Sequence, residues 1–410
     1  MVPRVRVIEN GSITTTPGFE AAGIAAGIKA DGALDLAMVR SVAPCTGAAV
    51  FTTNLFQAAP VIYDRETLHR NPTGLRGVVI NSGCANACTG DQGMRDTRAT
   101  AAAAAQYAGG SSDDYMVMST GVIGQLLPMD TVLAGVETAT RRLASAVDAG
   151  HRAARAIMTT DTVPKEMAVL VEIDSVRFTV AGMAKGAGMI SPNMATLLVV
   201  FTTDADIAPE LAQQALMTAV DASLNMITID GDMSTNDTAM LLANGEAEMA
   251  QIDAADSVAY AAFVDGLTRV AVGLAQGLVR DGEGATRFIE ICVTGAANRS
   301  EARRIGMSVA NSALVKTAIY GQDANWGRIV CAVGYAGVPL DPDAVRVWLG
   351  DLELVRDGGP YQIDEERAAE ILAQTDIPIR IDLGRGDVEA TVWTSDLSHA
   401  YVDINAHYRT

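Results

Sequence analysis

Short runs of aliphatic and β-branched residues alternate with alanine-rich runs of helical spacing from one end of this chain to the other. "RGVVIN" (76–81) predicts a buried strand. After the loop "SGCANACTGDQG", Arg95–Ala108 predicts a helix stopped by Gly109-Gly110. "DDYMVMST" (113–120) predicts a strand ending at Gly121, and Pro128 opens one helix expected over Met129–Val147. "VRFTVAGMA" and "TLLVVFTTDA" predict two more strands. Pro209 opens a helix whose Ala212, Leu216, Ala219 and Val220 form an apolar stripe. Val258–Val279 predicts a long helix and "RFIEICVTG" a strand after it. Such alternation implies a layered α/β fold, or α+β with a mixed sheet, without fixing strand order. Beyond Asp281, "WGRIVCAVGYAG", "AVRVWLGDLELV", "IRIDLG" and "EATVWTS" read as strand-rich. A main α/β domain is therefore expected over 1–280, with a smaller C-terminal domain over 281–410.

Several function classes are disfavoured by composition. The net charge is −19, so nucleic acid and anionic membrane are poor partners. The five cysteines are scattered, which argues against a disulfide framework, and Cys84 and Cys88 make no CxxC. The four histidines fall in no HExxH, and no metal is expected. "DGDMSTND" (230–237) is not a calcium loop, because Thr235 and Leu241 stand where that loop needs glycine and glutamate. No phosphate loop, completed GxGxxG or GxSxG elbow is present. The first residues lack the apolar core of a signal peptide, and "LLVVF" is far short of a membrane span. A cytoplasmic, soluble protein is the expectation.

The stretch "KGAGMISPNMATLLVVF" (185–201) joins a glycine-rich loop to a stiff β run, with Thr196 at the joint. A hydroxyl nucleophile needs a base. If the chain were cut before Thr196, its own α-amine would serve, since such an amine titrates at about 7.7–8.0, near working pH. Ala195 is small and would not obstruct attack on its own carbonyl. A threonine opening a strand is also what β propensity alone produces. Lys185 alone could be a solvated loop charge, and Glu283 alone could decorate a turn.

Longer motifs decide between these readings. "GFEAAGIAAGIK", "VFTTN", "INSGCANACTG", "STGVIG", "MTTDTVPK", "KGAGMISPNMATLL", "DGDMSTNDT", "DGEGATRFIE", "VKTAIYGQDANWGRI" and the terminal "YVDINAHYRT" follow one another along nearly the whole chain. In this the sequence resembles the ornithine acetyltransferase family, the bifunctional glutamate N-acetyltransferases of arginine biosynthesis. The resemblance implies a sandwich of mixed sheets flanked by helices, similar to N-terminal-nucleophile enzymes. It implies self-cleavage between Ala195 and Thr196, giving an alpha chain (1–195) and a beta chain (196–410) that stay together as a heterotetramer of two alpha and two beta.

The same resemblance assigns roles. Thr196 is the acyl acceptor, and Thr120 and Gly121 stabilise the oxyanion, a contribution of roughly 3 kcal/mol per donor. Substrate contacts fall on Thr160 (or Thr159), Lys185, Thr196, Glu283, Asn405 and Thr410. Lys185 suits a substrate carboxylate and Glu283 the ornithine ammonium. The implied cycle is ping-pong: Thr196 takes acetyl from N2-acetyl-L-ornithine and passes it to L-glutamate. No cofactor is implied, and acetyl-CoA as a second donor stays open. Cys84, Ala187, Ser191, Met226, "GQDANWG" and His407 depart from the pattern, and Cys84 removes an amide from the expected site. A related amidase or aminopeptidase, and a non-catalytic amino-acid-binding protein, are the competing readings.

Overall fold

The computed structural model describes residues 3–191, 197–362 and 364–407. The chain divides into two compact units, one of 1–225 and 232–278, the other of 226–231 and 279–409. Ala195, Thr196 and Thr410 lie outside the described residues.

The first unit begins with β1 (Arg4–Val7), β2 (Phe19–Ile24), β3 (Leu36–Phe51), α1 (Ala59–Arg70), β4 (Leu75–Cys84), α2 (Gly90–Ala108) and β5 (Tyr115–Val122). It continues through α3 (Met129–Arg141), α4 (Val147–Ala156), β6 (Lys165–Ile173), β7 (Val176–Lys185), β8 (Leu198–Thr203) and α5 (Pro209–Ala222). The chain then contributes a short strand, β9 (Ile227–Thr228), to the second unit. It returns as β10 (Thr238–Ala243) and α6 (Val258–Arg280), whose last two residues belong to the second unit.

Among the described residues, strands run in the order β1-β6-β7-β8-β10-β3-β4-β5, with β2 also on β3. The 16-residue β3 serves two layers. Its first part pairs with β2 and β4, its last part with β10. Side chains alternate between faces, as the two-residue period of a strand requires. Val78, Ile80, Met116 and Met118 enter one core with Met183, Leu198, Val200, Met240 and Leu242. Val79 and Tyr115 enter another with Ala104 of α2 and Val132, Val136 and Ala139 of α3. Strands buried on both faces read as continuous apolar runs, which is why "RGVVIN" was legible. Helix α6 covers the far face of β6–β8. A Cβ on Gly266 would lie 2.6 Å from Val171, and one on Gly182 2.9 Å from Leu274. The helix is long and apolar enough to cross a membrane by composition, but Phe263, Leu267, Val270, Ala271, Leu274 and Leu278 are core residues here. The expected sandwich of mixed sheets flanked by helices is what this unit forms.

The second unit adds β11 (Phe288–Ala296), α7 (Arg299–Ala310), α8 (Ala313–Tyr320), α9 (Trp326–Gly334), β12 (Arg346–Leu349) and β13 (Leu352–Arg356). Then come β14 (Gly359–Pro360), α10 (Glu365–Leu372), β15 (Asp376–Asp382), β16 (Val388–Ser395) and α11 (His399–His407). Its sheet runs β14-β13-β12-β15-β11-β16-β9. Helix α7 lies close on β16, where a Cβ on Gly306 would come within 2.8 Å of Val392.

Three local expectations need correction. "WGRIVCAVG" is helix α9, not strand. The Asn325 side chain caps it by accepting the Arg328 N–H, and the buried Ile329, Ala332 and Val333 recur at helical spacing. The single helix expected over 129–147 is two. Between them, Ala144 exchanges backbone hydrogen bonds of 3.0 and 3.1 Å with Ala21 of β2, so the chain there is extended. Helix α2 starts at Gly90 rather than Arg95, because Thr97 Oγ1 and Asn86 Nδ2 both bond the Gly93 carbonyl and fasten the first turn to the preceding loop.

Candidate active site

Strands β4 and β5 run parallel until Gly83 and Gly121, where the register breaks and Cys84 faces both Thr120 and Val122. Gly121 has φ 131°, and a Cβ on it would lie 2.3 Å from the Gly83 carbonyl carbon. Only glycine fits, and such irregularities re-aim side chains and amides at strand ends. Two asparagines hold the break in place. Asn81 Nδ2 donates to the Cys84 carbonyl at 2.8 Å, and its Oδ1 accepts from Ser119 Oγ at 2.6 Å. Asn236 Nδ2 donates to the Ala85 and Ser119 carbonyls at 2.6 and 2.8 Å. Cys84 is buried, its Sγ 3.3 Å from the Gln125 carbonyl, and burial pushes its thiol up.

Lys185, at the end of β7, is buried and donates from Nζ to Thr120 Oγ1 at 3.1 Å. An ammonium has no lone pair, so Thr120 must accept there, which leaves its own O–H to donate elsewhere. Lys185 is also the cross-strand partner of Leu198, the first residue of β8. The strand that follows the expected cleavage point thus starts beside this lysine. Gly186 (φ 149°) and Met189 (φ 56°) turn the chain away from β7.

Two buried carboxyl groups flank the lysine and differ in kind. Burial would push Asp161 up, but the charges of Lys185 and Lys165, the Lys165 hydrogen bond and the Gly186 amide together hold it at about 2. Asp237 is fully buried at the start of the β10 segment. Its Oδ1 accepts the Leu197 N–H at 2.8 Å, and among the described residues its Oδ2 has no partner. Burial drives this carboxyl well above the ordinary range, against the Leu197 amide and the Lys185 charge. Thr159 and Thr160 sit half-buried just before Asp161. Behind them, Lys29 Nζ donates to the Met158 carbonyl at 2.7 Å. The Lys29 loop is itself gathered by Asp35, whose carboxylate accepts the amides of Ala26, Gly27, Ile28 and Lys29.

In the second unit, Glu283 lies in the turn after α6 and is buried. Asn405 of α11 donates to its Oε2 at 2.8 Å. Gly284 has φ 68°, and a Cβ there would lie 2.5 Å from the Tyr401 amide nitrogen. Ser398 Oγ donates to the Gly284 carbonyl at 2.6 Å, and Asp396 accepts the Thr286 and Arg287 amides at 2.8 and 2.9 Å. The base of this turn rests on Lys316, which donates to Thr394 Oγ1 at 2.9 Å and to the Ser395 carbonyl. Burial lowers its ammonium to about 8, against the raising charges of Asp396 and Asp230.

The structure thus gathers Thr120, Gly121 and Lys185 in one unit and Glu283 with Asn405 in the other. Asn81, Asp161, Lys165, Asn236 and Asp237 were not singled out from sequence. All lie inside the motifs quoted above, but nothing in a single sequence says which residues they touch. Among the described residues, no group of three or more His, Cys, Asp or Glu could hold a metal ion.

A family model described as the ArgJ family matches residues 20–410. The chain is 49% identical to the "Arginine biosynthesis bifunctional protein ArgJ" of Symbiobacterium thermophilum, over 98% of this chain and 99% of that one. It is 48% identical to the "Arginine biosynthesis bifunctional protein ArgJ, mitochondrial" of Schizosaccharomyces japonicus, over 97% of this chain and 94% of that one. The crystal structure of an ornithine acetyltransferase complexed with ornithine from Mycobacterium tuberculosis is 44% identical, with a TM-score of 0.43. That match covers 46% of this chain and 98% of the other. The class is that of acyltransferases on a mixed α/β scaffold. The chain belongs to the ArgJ family.

Proposed function

We propose that this chain moves the acetyl group of N2-acetyl-L-ornithine to L-glutamate in arginine biosynthesis, with Thr196 as the acyl acceptor. The Thr196 hydroxyl first attacks the Ala195 carbonyl, the peptide C–N bond breaks as the ester forms and frees the α-amine of Thr196, and water then opens the ester to give the Ala195 carboxylate and the free hydroxyl. That amine then takes the hydroxyl proton as Thr196 attacks the acetyl carbonyl. The ornithine amine leaves with that proton. The glutamate amine attacks the acetyl-threonine ester, N-acetylglutamate departs, and the hydroxyl is restored. Thr120 and the Gly121 amide face the oxyanion, Lys185 and Thr160 (or Thr159) hold the donor, and Glu283, Asn405 and Thr410 also contact substrate. Fragments 1–195 and 196–410 remain paired, two of each, in the cytoplasm.

The observation that carries this reading is the 3.1 Å contact from the Lys185 ammonium to Thr120. A cation beside it compels the Thr120 hydroxyl to accept, and so frees its proton for a developing oxyanion. The names of the relatives support the pathway. The test supplies N-acetylornithine and isotopically labelled glutamate and follows labelled N-acetylglutamate. Transfer is expected, and its absence from Thr196→Ala. Acetate release without transfer would point to an amidase, and binding without turnover to a non-catalytic protein. Acetyl-CoA in place of N-acetylornithine reads the second donor.

A further inference from the structure

Asp161 joins two segments that the acetyl-transfer reading assigns to substrate. Its side chain lies in the loop between α4 and β6 and has no exposed surface. Oδ2 accepts the Thr159 N–H at 2.9 Å. Oδ1 accepts the Gly186 N–H at 2.7 Å and the Lys165 ammonium at 2.5 Å. One carboxylate therefore fixes the Thr159–Thr160 segment against the end of β7 that carries Lys185. The groups facing it come from three elements: Lys165 on β6, Lys185 on β7, and Lys29 from the loop before β3. Asp237, from the start of the β10 segment, faces Lys185 from the other direction.

We propose that Asp161 is a positioning residue of the acyl-transfer site, setting the spacing of the Thr159–Thr160 segment and Lys185, the side chain that receives a substrate carboxylate. The proposal rests on the reading that Lys185 and Thr160 touch the substrate. A simpler structural role would make Asp161 only the countercharge of Lys165, since a buried ammonium left alone is strongly destabilising. The two roles differ in what they do to substrate. A mere countercharge can be removed together with its lysine. A positioning group cannot, because Thr159 and Gly186, the neighbour of Lys185, lose their common anchor.

The test uses the full chain with Asp161→Asn and with the charge-balanced pair Asp161→Asn/Lys165→Met. Steady-state transfer is measured with N-acetylornithine and glutamate as substrates. In the folded double variant we expect KM for N-acetylornithine to rise about tenfold or more, with a smaller change in kcat. A folded double variant with wild-type KM overturns the proposal. If the double variant does not fold, Asp161→Glu carries the test: it keeps the countercharge but displaces the anchor, so KM should still rise, and a wild-type KM overturns the proposal. Wild type run in parallel keeps the two readings apart. If it makes no N-acetylglutamate, the acetyl-transfer reading fails. Asp161 is then judged by calorimetric titration with ornithine, where the double variant should bind about tenfold more weakly and equal affinity overturns the inference.

Discussion

Thr120 and Lys185 are 65 residues apart in sequence and 3.1 Å apart in space, and the consequence is testable one atom at a time. Thr120→Val removes the hydroxyl and keeps the volume, so kcat should fall by about 10²–10³-fold while the fold survives. Thr120→Ser should retain most of the activity, and an unchanged kcat in the valine variant would remove Thr120 from the oxyanion role. Buried carboxyls set a second expectation, for stability. Asp64 of α1 is fully buried, accepts the Val117 N–H at Oδ1 at 2.8 Å, and has no partner for Oδ2 among the described residues. Burial raises its carboxyl well above the ordinary value, against the pull of the Val117 amide. The folded state therefore holds the proton that the unfolded state gives up near pH 4, and stability falls as pH rises through the folded value. Asp64→Asn keeps the acceptor and removes this dependence, so its thermal midpoint relative to wild type should climb from pH 4.5 to about 8.5. A constant difference across that range would contradict the account. Asp161, held at about 2, acts with the opposite sign: its contribution is present above its ordinary value and is lost as pH falls through about 4 to 2. At this scale the sequence singled out Thr120 and Lys185 separately. It could not reveal Asp161, Asp237, Asn81 or Asn236, because their roles lie in contacts, such as Asn236 with Ala85 across 151 residues, that no local pattern encodes.

Elements were legible where one period dominated. Strands β4, β7 and β8 and helices α5 and α6 carried a continuous apolar run or a clear stripe, and all formed. Helix α9 was misread because "RIVCAV" is as apolar as a strand. Its helical character lies in the Asn325 cap and in the spacing of Ile329, Ala332 and Val333. Asn325→Ala should cost about 1 kcal/mol of stability and leave acetyl transfer intact. A chemical-denaturation midpoint unchanged by that substitution would show that the cap is not what holds the helix. The β4–β5 break predicts a different pattern. Gly121→Ala places a Cβ against the Gly83 backbone at a φ of 131°. The strand end must shift, so transfer should be lost together with some thermal stability. Retention of full activity would mean that the break does not aim the oxyanion donor.

At the scale of the whole molecule, alternating strands and helices foretold the layered α/β class but not the strand order. Order depends on β3 being long enough to serve two layers, and on β9 leaving its neighbours in sequence to pair with β16. Neither is a property of a local window. The central claim is that one precursor becomes two fragments and that the new N-terminus carries the acetyl group. Intact-protein mass spectrometry before and after adding N-acetylornithine tests this most directly. The account predicts two masses meeting between Ala195 and Thr196, with one acetyl group gained by the C-terminal fragment alone. A single uncleaved mass with no acetyl gain, from a protein that binds ornithine, would contradict it.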